Sequence, residues 1–431
     1  MNSSTNTVKK EVIGAVCLVG FFTVLLIVSI RMWRLDMSIP FFYGFEGSKE
    51  GFNIVSSICD GSMGTVPVEY SPLYVWELRI MYAVTGSVGY ALNWSFLMNL
   101  CITAAVTYVV LKKLKISVFA SIMAAVSFAL LSYGFVQESY YSGMSMCCFI
   151  PLGVWLCIWI FEEQQPFGGK NIIIPLIFVA LIGLTGGGYY LFFTCIMILT
   201  AGVSALLKTK RMNALWSGLA LTGEAVIIQI ILSIGHTYIQ GDIEKSEVLG
   251  LKIFQFFVPT NSLKIGMFEE YMQDYNTKSI YINENAGSYL GIIGIIGFVM
   301  LVLTLLVSMN NKNTSERVRL YSEVMLVLIF VGEIGGIGTL LVVLTGTRLV
   351  AFNRVSVFIA CLCIFAAAFL IDSIMSKISK KLALVVFTVA VTGLTAVSVM
   401  SQVPQSFYTY TEKSAVEYPK AIKTAQVGGV R

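Results

Sequence analysis

The sequence predicts an all-α, polytopic membrane protein, a helical bundle whose apolar runs cross a bilayer about eleven times. Three observations carry this. Hydrophobic residues make up 57% of the chain and charged residues 12%, with a mean hydropathy of +0.81, more apolar surface than a soluble fold of 431 residues buries. The charges fall between the apolar runs rather than within them. The runs are also continuous rather than alternating, so helices and not barrel strands must satisfy the backbone in hydrocarbon.

In chain order, the spans are expected at 12–30, 88–111, 116–136, 144–161, 172–185, 189–207, 214–234, 289–308, 323–344, 356–374 and 382–400. The first is preceded by Lys9 and Lys10, as a secretory signal would be. No small-residue cleavage site follows it, and Arg31 to Arg34 close it abruptly, so it is expected to remain as an anchor. Between 185 and 189, Gly186-Gly187-Gly188 predicts a tight turn joining two antiparallel helices.

Basic residues set the orientation, because cytoplasmic loops retain positive charge during insertion. Lys9 and Lys10, Lys112 to Lys115, Lys170, Lys208 to Arg211, Lys312 to Arg319 and Lys377 to Lys381 alternate onto one side. That side is predicted to be the cytoplasm and to hold the N-terminus. The long loops 31–87 and 235–288 and the tail 401–431 then lie outside the cytoplasmic membrane, with 1–400 as one transmembrane unit.

Several classes of function are excluded or weakened. The net charge of +5 reflects the inside-positive bias, and no basic run is interleaved with exposed aromatics, so nucleic acid is not an expected partner. Cys59 alone of the nine cysteines lies in an outer loop, which leaves no outer disulfide within one chain. His236 is the single histidine, which rules out a two-histidine zinc motif. No P-loop, dinucleotide-binding glycine pattern or nucleophile elbow occurs.

The candidate chemistry gathers on the outer side. In the first loop Glu46 follows the aromatic turn Phe41 to Phe45 and opens a predicted short helix, Ser48 to Cys59, capped by Ser48. A carboxylate there can act as a general base or hold a divalent cation with a phosphate-bearing substrate; the plainer account is a helix-start Glu favoured by the macrodipole. Pro72 to Val84, with Glu77 and Arg79 among aromatic and apolar residues, predicts a helix lying in the interface. In the second loop, Asn283, Glu284 and Asn285 form a polar cluster against the next span, of the kind that reads sugar hydroxyls or simply starts a helix. A loop of that length is expected to contain short helices. Arg348 and Arg354 run against the inside-positive preference, and arginine pairs bidentately with phosphate, so both are candidate phosphate ligands as well as candidates for headgroup snorkelling. Within the spans, Glu224 and Glu333 are costly unless they face the bundle interior or water, and Asp372 lies near a cytoplasmic end.

Phe42-Tyr43-Gly44 with a carboxylate soon after, Gly188 to Phe193, Gly250 to Pro259, Asn283 to Ala286, and Arg348 with Asn353 to Phe358 occur in order along the chain. Together they look like the landmarks of a bacterial family of multi-pass proteins often labelled putative sugar translocases, which is similar to the GT-C class of membrane glycosyltransferases. The resemblance implies a GT-C-like fold, a polyprenyl-phosphate-linked sugar as donor, an active site at the outer face, and a first-loop acid as base or metal-associated group, by position Glu46. It also implies a second acidic residue, with Glu50 and Glu69 as candidates, and makes a divalent cation, Mg or Mn, a candidate cofactor. The expected assignment is Glu46 as base, Arg348 and Arg354 on phosphate, and Asn283, Glu284, Tyr189, Tyr190 and Glu69 as substrate contacts. The competing class is a translocator of lipid-linked sugar, for which Glu224 and Glu333 are the support; an inactive relative serving as an assembly partner is a third.

Overall fold

The computed structural model describes residues 2–63, 66–67, 70–140, 143–163, 169–235, 241–260, 263, 266–279, 285–308 and 315–427, and among these it is helical with one isolated β-bridge. Helix α1 (Asn2–Ile30) is followed by α2 (Glu46–Cys59) and α3 (Pro72–Thr85), which make up much of the first long loop. Next come α4 (Val88–Lys113), α5 (Val118–Ala129), α6 (Ser132–Glu138), α7 (Ile150–Glu162), α8 (Ile173–Thr209) and α9 (Met212–Ser233). The second long loop contains α10 (Ile243–Val248) and α11 (Gly266–Lys278). The chain closes with α12 (Gly291–Ser308), α13 (Glu316–Gly332), α14 (Ile337–Thr345), α15 (Ser356–Lys377), α16 (Lys381–Met400) and α17 (Gln405–Val427).

Among the described residues seven helices are long and apolar enough to cross a membrane: α1 from Glu11, α4, α5 with α6, α8, α9, the segment Phe352–Lys377, and α16; α7 and α12 are shorter apolar helices. They differ in what they face. Nearly every side chain of α15 from Ser356 to Ala368 is buried, so it is the central helix. Its neighbour α12 approaches closely through glycine: a Cβ on Gly297 would collide with the Cys363 backbone. Helices α9 and α16 lie at the rim, with Val226, Ile227, Ile230, Val385, Val386 and Val389 outward, as lipid-facing surfaces require.

The antiparallel turn predicted at Gly186 to Gly188 is present, as a break within α8. Gly187 has φ 57° and ψ −145°, a conformation open in practice to glycine alone. In a straight helix Ile182 and Thr194 would stand about 18 Å apart. Instead, side chains of both reach within 4 Å of where a Gly153 Cβ would be, and Leu191 lies 3.1 Å from the Cβ position of Gly183. The chain therefore folds back at Gly187.

The expected span 323–344 is corrected by a second reversal. Helix α13 ends at Gly332, Glu333 is extended (φ −62°, ψ 150°), and a Cβ on Gly338 would stand 2.5 Å from the Val331 carbonyl oxygen. At this break the second loop pairs with the helix end: Leu251 N–H donates to Gly332 O at 2.7 Å, and Ile334 N–H to Leu251 O at 3.4 Å. Glu333 is exposed at the break rather than held inside a span.

Side-chain bonds define two ends. At one, Arg317 Nη2 donates to Glu162 Oε2 at 2.8 Å and Nη1 to Leu114 O at 3.0 Å. Arg211 donates to the last carbonyls of α7, and Lys208 pairs with Glu323 at 2.6 Å. Asp372 accepts the Ser117 N–H at 3.0 Å, capping the start of α5. At the opposite end the long loops and α17 meet. Gln402 Oε1 accepts Ser132 N–H at 3.0 Å, Thr260 Oγ1 donates to Ser401 O at 2.9 Å, and Gly44 N–H donates to Ser414 Oγ at 2.7 Å.

Candidate functional site

The loop-bearing end is built from segments far apart in sequence. Tyr189, two residues past the Gly187 reversal, aims its hydroxyl at the turn before α15, where it accepts Val350 N–H at 3.1 Å and Ala351 N–H at 3.0 Å. The Arg354 guanidinium lies over the same ring, 4.8 Å from its centroid. Asn353, next to it, is buried and donates its N–H to Leu249 O at 2.9 Å, which ties in the second loop. Tyr189 and Arg354, both expected site residues, are thus brought together. Arg348 is half-buried on the same loop.

Tyr190 goes elsewhere. It is fully buried, its hydroxyl donates to Met144 O and lies 3.5 Å from Cys147 Sγ, and its ring packs edge-on against Phe358. The α8 fold-back sends neighbouring tyrosines in different directions, one to the loop surface and one into the core.

Glu46 is the first residue of α2 and is exposed, as the helix-start account requires; Glu50 on the next turn is also exposed. Ser48 does not cap this helix from outside: its hydroxyl donates back to Phe42 O and Phe45 O at 2.6 and 2.7 Å and holds the aromatic turn. That turn rests on α17, with Tyr43 edge-on to Tyr418 and Lys49 paired with Glu417 at 2.9 Å. Phe45 packs on Tyr140 just beyond α6. Tyr140 therefore touches Glu46's turn, while Met144 and Cys147 touch Tyr190. Asn283, Glu284, Glu69 and His236 lie outside the described residues.

Two carboxylates of weight to the site carry little sequence signal. Glu138 ends α6 directly after an apolar run, where a solvated Glu is the ordinary expectation, and Glu77 sits in a helix whose composition suits the interface. Helix α3 does present Trp76, Ile80 and Val84 outward, between a Pro72 start and a Gly86 stop with φ 67°. Its other face, with Tyr74, Glu77 and Leu78, is buried against α4. Glu77 is 7% exposed and Glu138 1%. Glu138 accepts the Ser145 hydroxyl at 2.5 Å and the Tyr74 hydroxyl at 3.5 Å, and Glu77 Oε2 accepts from Asn99 Nδ2 at 3.1 Å. Glu77 Oε1 and Asn99 Oδ1 are buried and accept no hydrogen bond. The two carboxylates lie within electrostatic reach of each other, and none of the ion pairs among the described residues involves either. Burial pushes the Glu77 carboxyl up to about 7, against the smaller opposing pull of Asn99 and Ser95.

Cys59 is buried at the end of α2, which pushes its thiol up to about 12 and makes it unreactive. Among the described residues no three His, Cys, Asp or Glu side chains converge to hold a metal ion, so the expected divalent cation finds no ready ligand set there.

Fold and site define a class, a multi-pass helical membrane protein with buried acid and ring-backed arginine at its loop-bearing end. Comparison with protein-family models and with curated proteins found no match.

Proposed function

We propose that this protein is a membrane glycosyltransferase that moves a sugar from a polyprenyl-phosphate-linked donor to an acceptor at the outer face of the cytoplasmic membrane. The observation that carries the reading is Arg354 held over Tyr189, whose hydroxyl also clamps the Val350 and Ala351 amides. A guanidinium fixed this way on a loop at the end away from the basic cluster is a phosphate ligand whose geometry is set before substrate arrives.

In this reading the seven long apolar helices, with α7, α12, α13 and the two arms of α8 counted separately, make about eleven crossings. The basic end faces the cytoplasm with the N-terminus, the loop-bearing end faces outward, and the chain has a GT-C-like arrangement. Arg354 and Arg348 bind the donor phosphate, exposed Glu46 takes the acceptor proton, and Asn283, Glu284 and Glu69 contact the sugar. The donor's phosphate is already a good leaving group, so orientation and positive charge supply most of the chemistry.

The test is transfer of radiolabelled sugar from polyprenyl-phosphate donors in proteoliposomes. Loss of transfer in Glu46→Gln and in Arg354→Ala, with folding intact, is expected. Movement of labelled lipid between leaflets without transfer would replace the reading by translocation. One observation favours that alternative: Glu224, in the rim helix α9, keeps a buried Oε2 that accepts no hydrogen bond. Glu333, at a helix end, adds nothing to it.

A further inference from the structure

The end of α1 and the final helix α17 enclose a pocket whose wall is largely apolar, with a few charged side chains set in it. Arg31, the residue after α1, is left-handed with φ 54° and ψ 49°, a conformation that a non-glycine residue adopts only when something holds it there. Here the holding contact is with α17: the Arg31 guanidinium lies 4.2 Å from the centroid of the Tyr408 ring, and the Tyr408 hydroxyl donates to Ser29 O. The short turn Met32–Arg34 then brings Arg34 round to the same side.

Between this turn and α17 opens a pocket of about 250 Å³ with Arg31, Arg34, Asp36, Thr411 and Glu412 in its wall. Among the described residues neither arginine forms an ion pair with a carboxylate. Asp36 Oδ1 accepts the Ser38 N–H at 2.9 Å and the Ser38 hydroxyl at 2.7 Å, which fixes that carboxylate in the wall. The pocket's position follows from α1 below it. Val16, Val19, Val24, Ile27 and Val28 form an exposed apolar flank leading up to it, and Trp33 at its edge is 65% exposed. Such a flank ending in an exposed tryptophan marks the headgroup level of a bilayer.

We infer that this pocket binds the phosphoethanolamine headgroup of a membrane phospholipid. Two guanidiniums without an ion-pair partner among the described residues, one of them stacked on the Tyr408 ring, match a phosphodiester through charge-assisted bonds. Two carboxylates in the same wall match a primary ammonium a few bonds away. The combination selects among headgroups. Glycerol leaves Asp36 and Glu412 without a cation, serine brings a third carboxylate against them, and choline has no N–H to donate. The site is separate from Arg354 and Tyr189, so it stands or falls independently of the transferase reading.

The experiment is native mass spectrometry of the full chain, extracted in detergent and equilibrated with mixed micelles of phosphatidylethanolamine, phosphatidylglycerol and phosphatidylcholine. The wild type retains phosphatidylethanolamine roughly tenfold over phosphatidylglycerol, the ratio that one charge-assisted contact supplies. Arg34→Gln, at an exposed side chain, loses retention of all three. Glu412→Gln keeps phosphate-bearing lipid but loses the preference for ethanolamine, an outcome that misfolding does not produce. Soluble glycerophosphoethanolamine, added as a competitor to the phosphatidylethanolamine-loaded protein, distinguishes a headgroup held with its acyl chains against α1, where it competes poorly, from a free phosphoethanolamine site, where it competes fully and the lipid assignment falls. Equal retention of the three lipids by the wild type, or unchanged retention in Arg34→Gln, overturns the inference.

Discussion

Replacing Glu77 by Gln isolates one buried carboxyl whose energetics follow from its surroundings. In the unfolded chain the group titrates near 4.5; in the folded chain burial between α3 and α4 moves it to about 7. The folded state thus binds the proton more tightly than the unfolded state. This group's contribution is fully favourable below pH 4.5, declines as pH rises from there through 7, and above 7 the fold is weaker by the whole difference, about 3 kcal/mol. The groups facing it are Asn99 and Ser95 on α4, Glu138 on α6 and the Cys148 thiol, none of them a cation that would stabilise the charged form. Glutamine keeps the shape and the Asn99 contact and does not titrate. Melting of detergent-solubilised protein, followed by tryptophan fluorescence from pH 5 to pH 8.5, should show Glu77→Gln close to wild type at pH 5. At pH 8 the variant should be more stable, by up to about 3 kcal/mol. A variant less stable than wild type at pH 8, or one with the wild-type pH dependence, would refute the argument that this carboxyl is buried without a compensating charge.

Other outcomes follow from single contacts. Tyr189→Phe removes the acceptor of the Val350 and Ala351 amides and should cost about 1–3 kcal/mol while speeding hydrogen exchange at those two positions; unchanged exchange would mean that the loop is held by other bonds. Gly187→Ala places a Cβ on a backbone closed to it and should destabilise by about 1–3 kcal/mol, read as a lowered melting temperature, whereas the same substitution at Gly223, in the unstrained middle of α9, should not. Asp372→Ala leaves the Ser117 amide uncapped and should cost about 1 kcal/mol in the same assay, with Asp372→Asn losing less.

Much of the fold was legible in the sequence because hydrocarbon imposes a strong and local rule. Each apolar run had to become a helix, and Gly186-Gly187-Gly188 had to accommodate a reversal that residues with a Cβ resist. The short helices of both long loops followed from length and composition. Where the reading failed, the deciding contact came from elsewhere in the chain. The run 323–344 is apolar apart from Glu323, Glu333 and Thr339 and long enough for one span, yet α13 stops at Gly332, where Leu251 from the second loop pairs with the chain.

The candidate site divides in the same way. Arginine on an outer loop and tyrosine after a glycine turn are visible as residue types, and Tyr189 and Arg354 do meet. Tyr189 and Tyr190 are adjacent and chemically identical, and only the direction of the fold-back separates a loop clamp from a core residue. Glu77 and Glu138 look like ordinary surface carboxylates because burial depends on what packs over them, here Asn99 on Glu77, and Ser145 and Tyr74 on Glu138. The sequence by itself determined the solvent, the secondary structure and the separation of basic from loop-bearing segments, since hydropathy and charge act on each stretch alone. Which carboxylates lost their water, and which arginine gained a ring, were decided by the tertiary structure, because desolvation and stacking are properties of neighbours that the chain brings together only on folding.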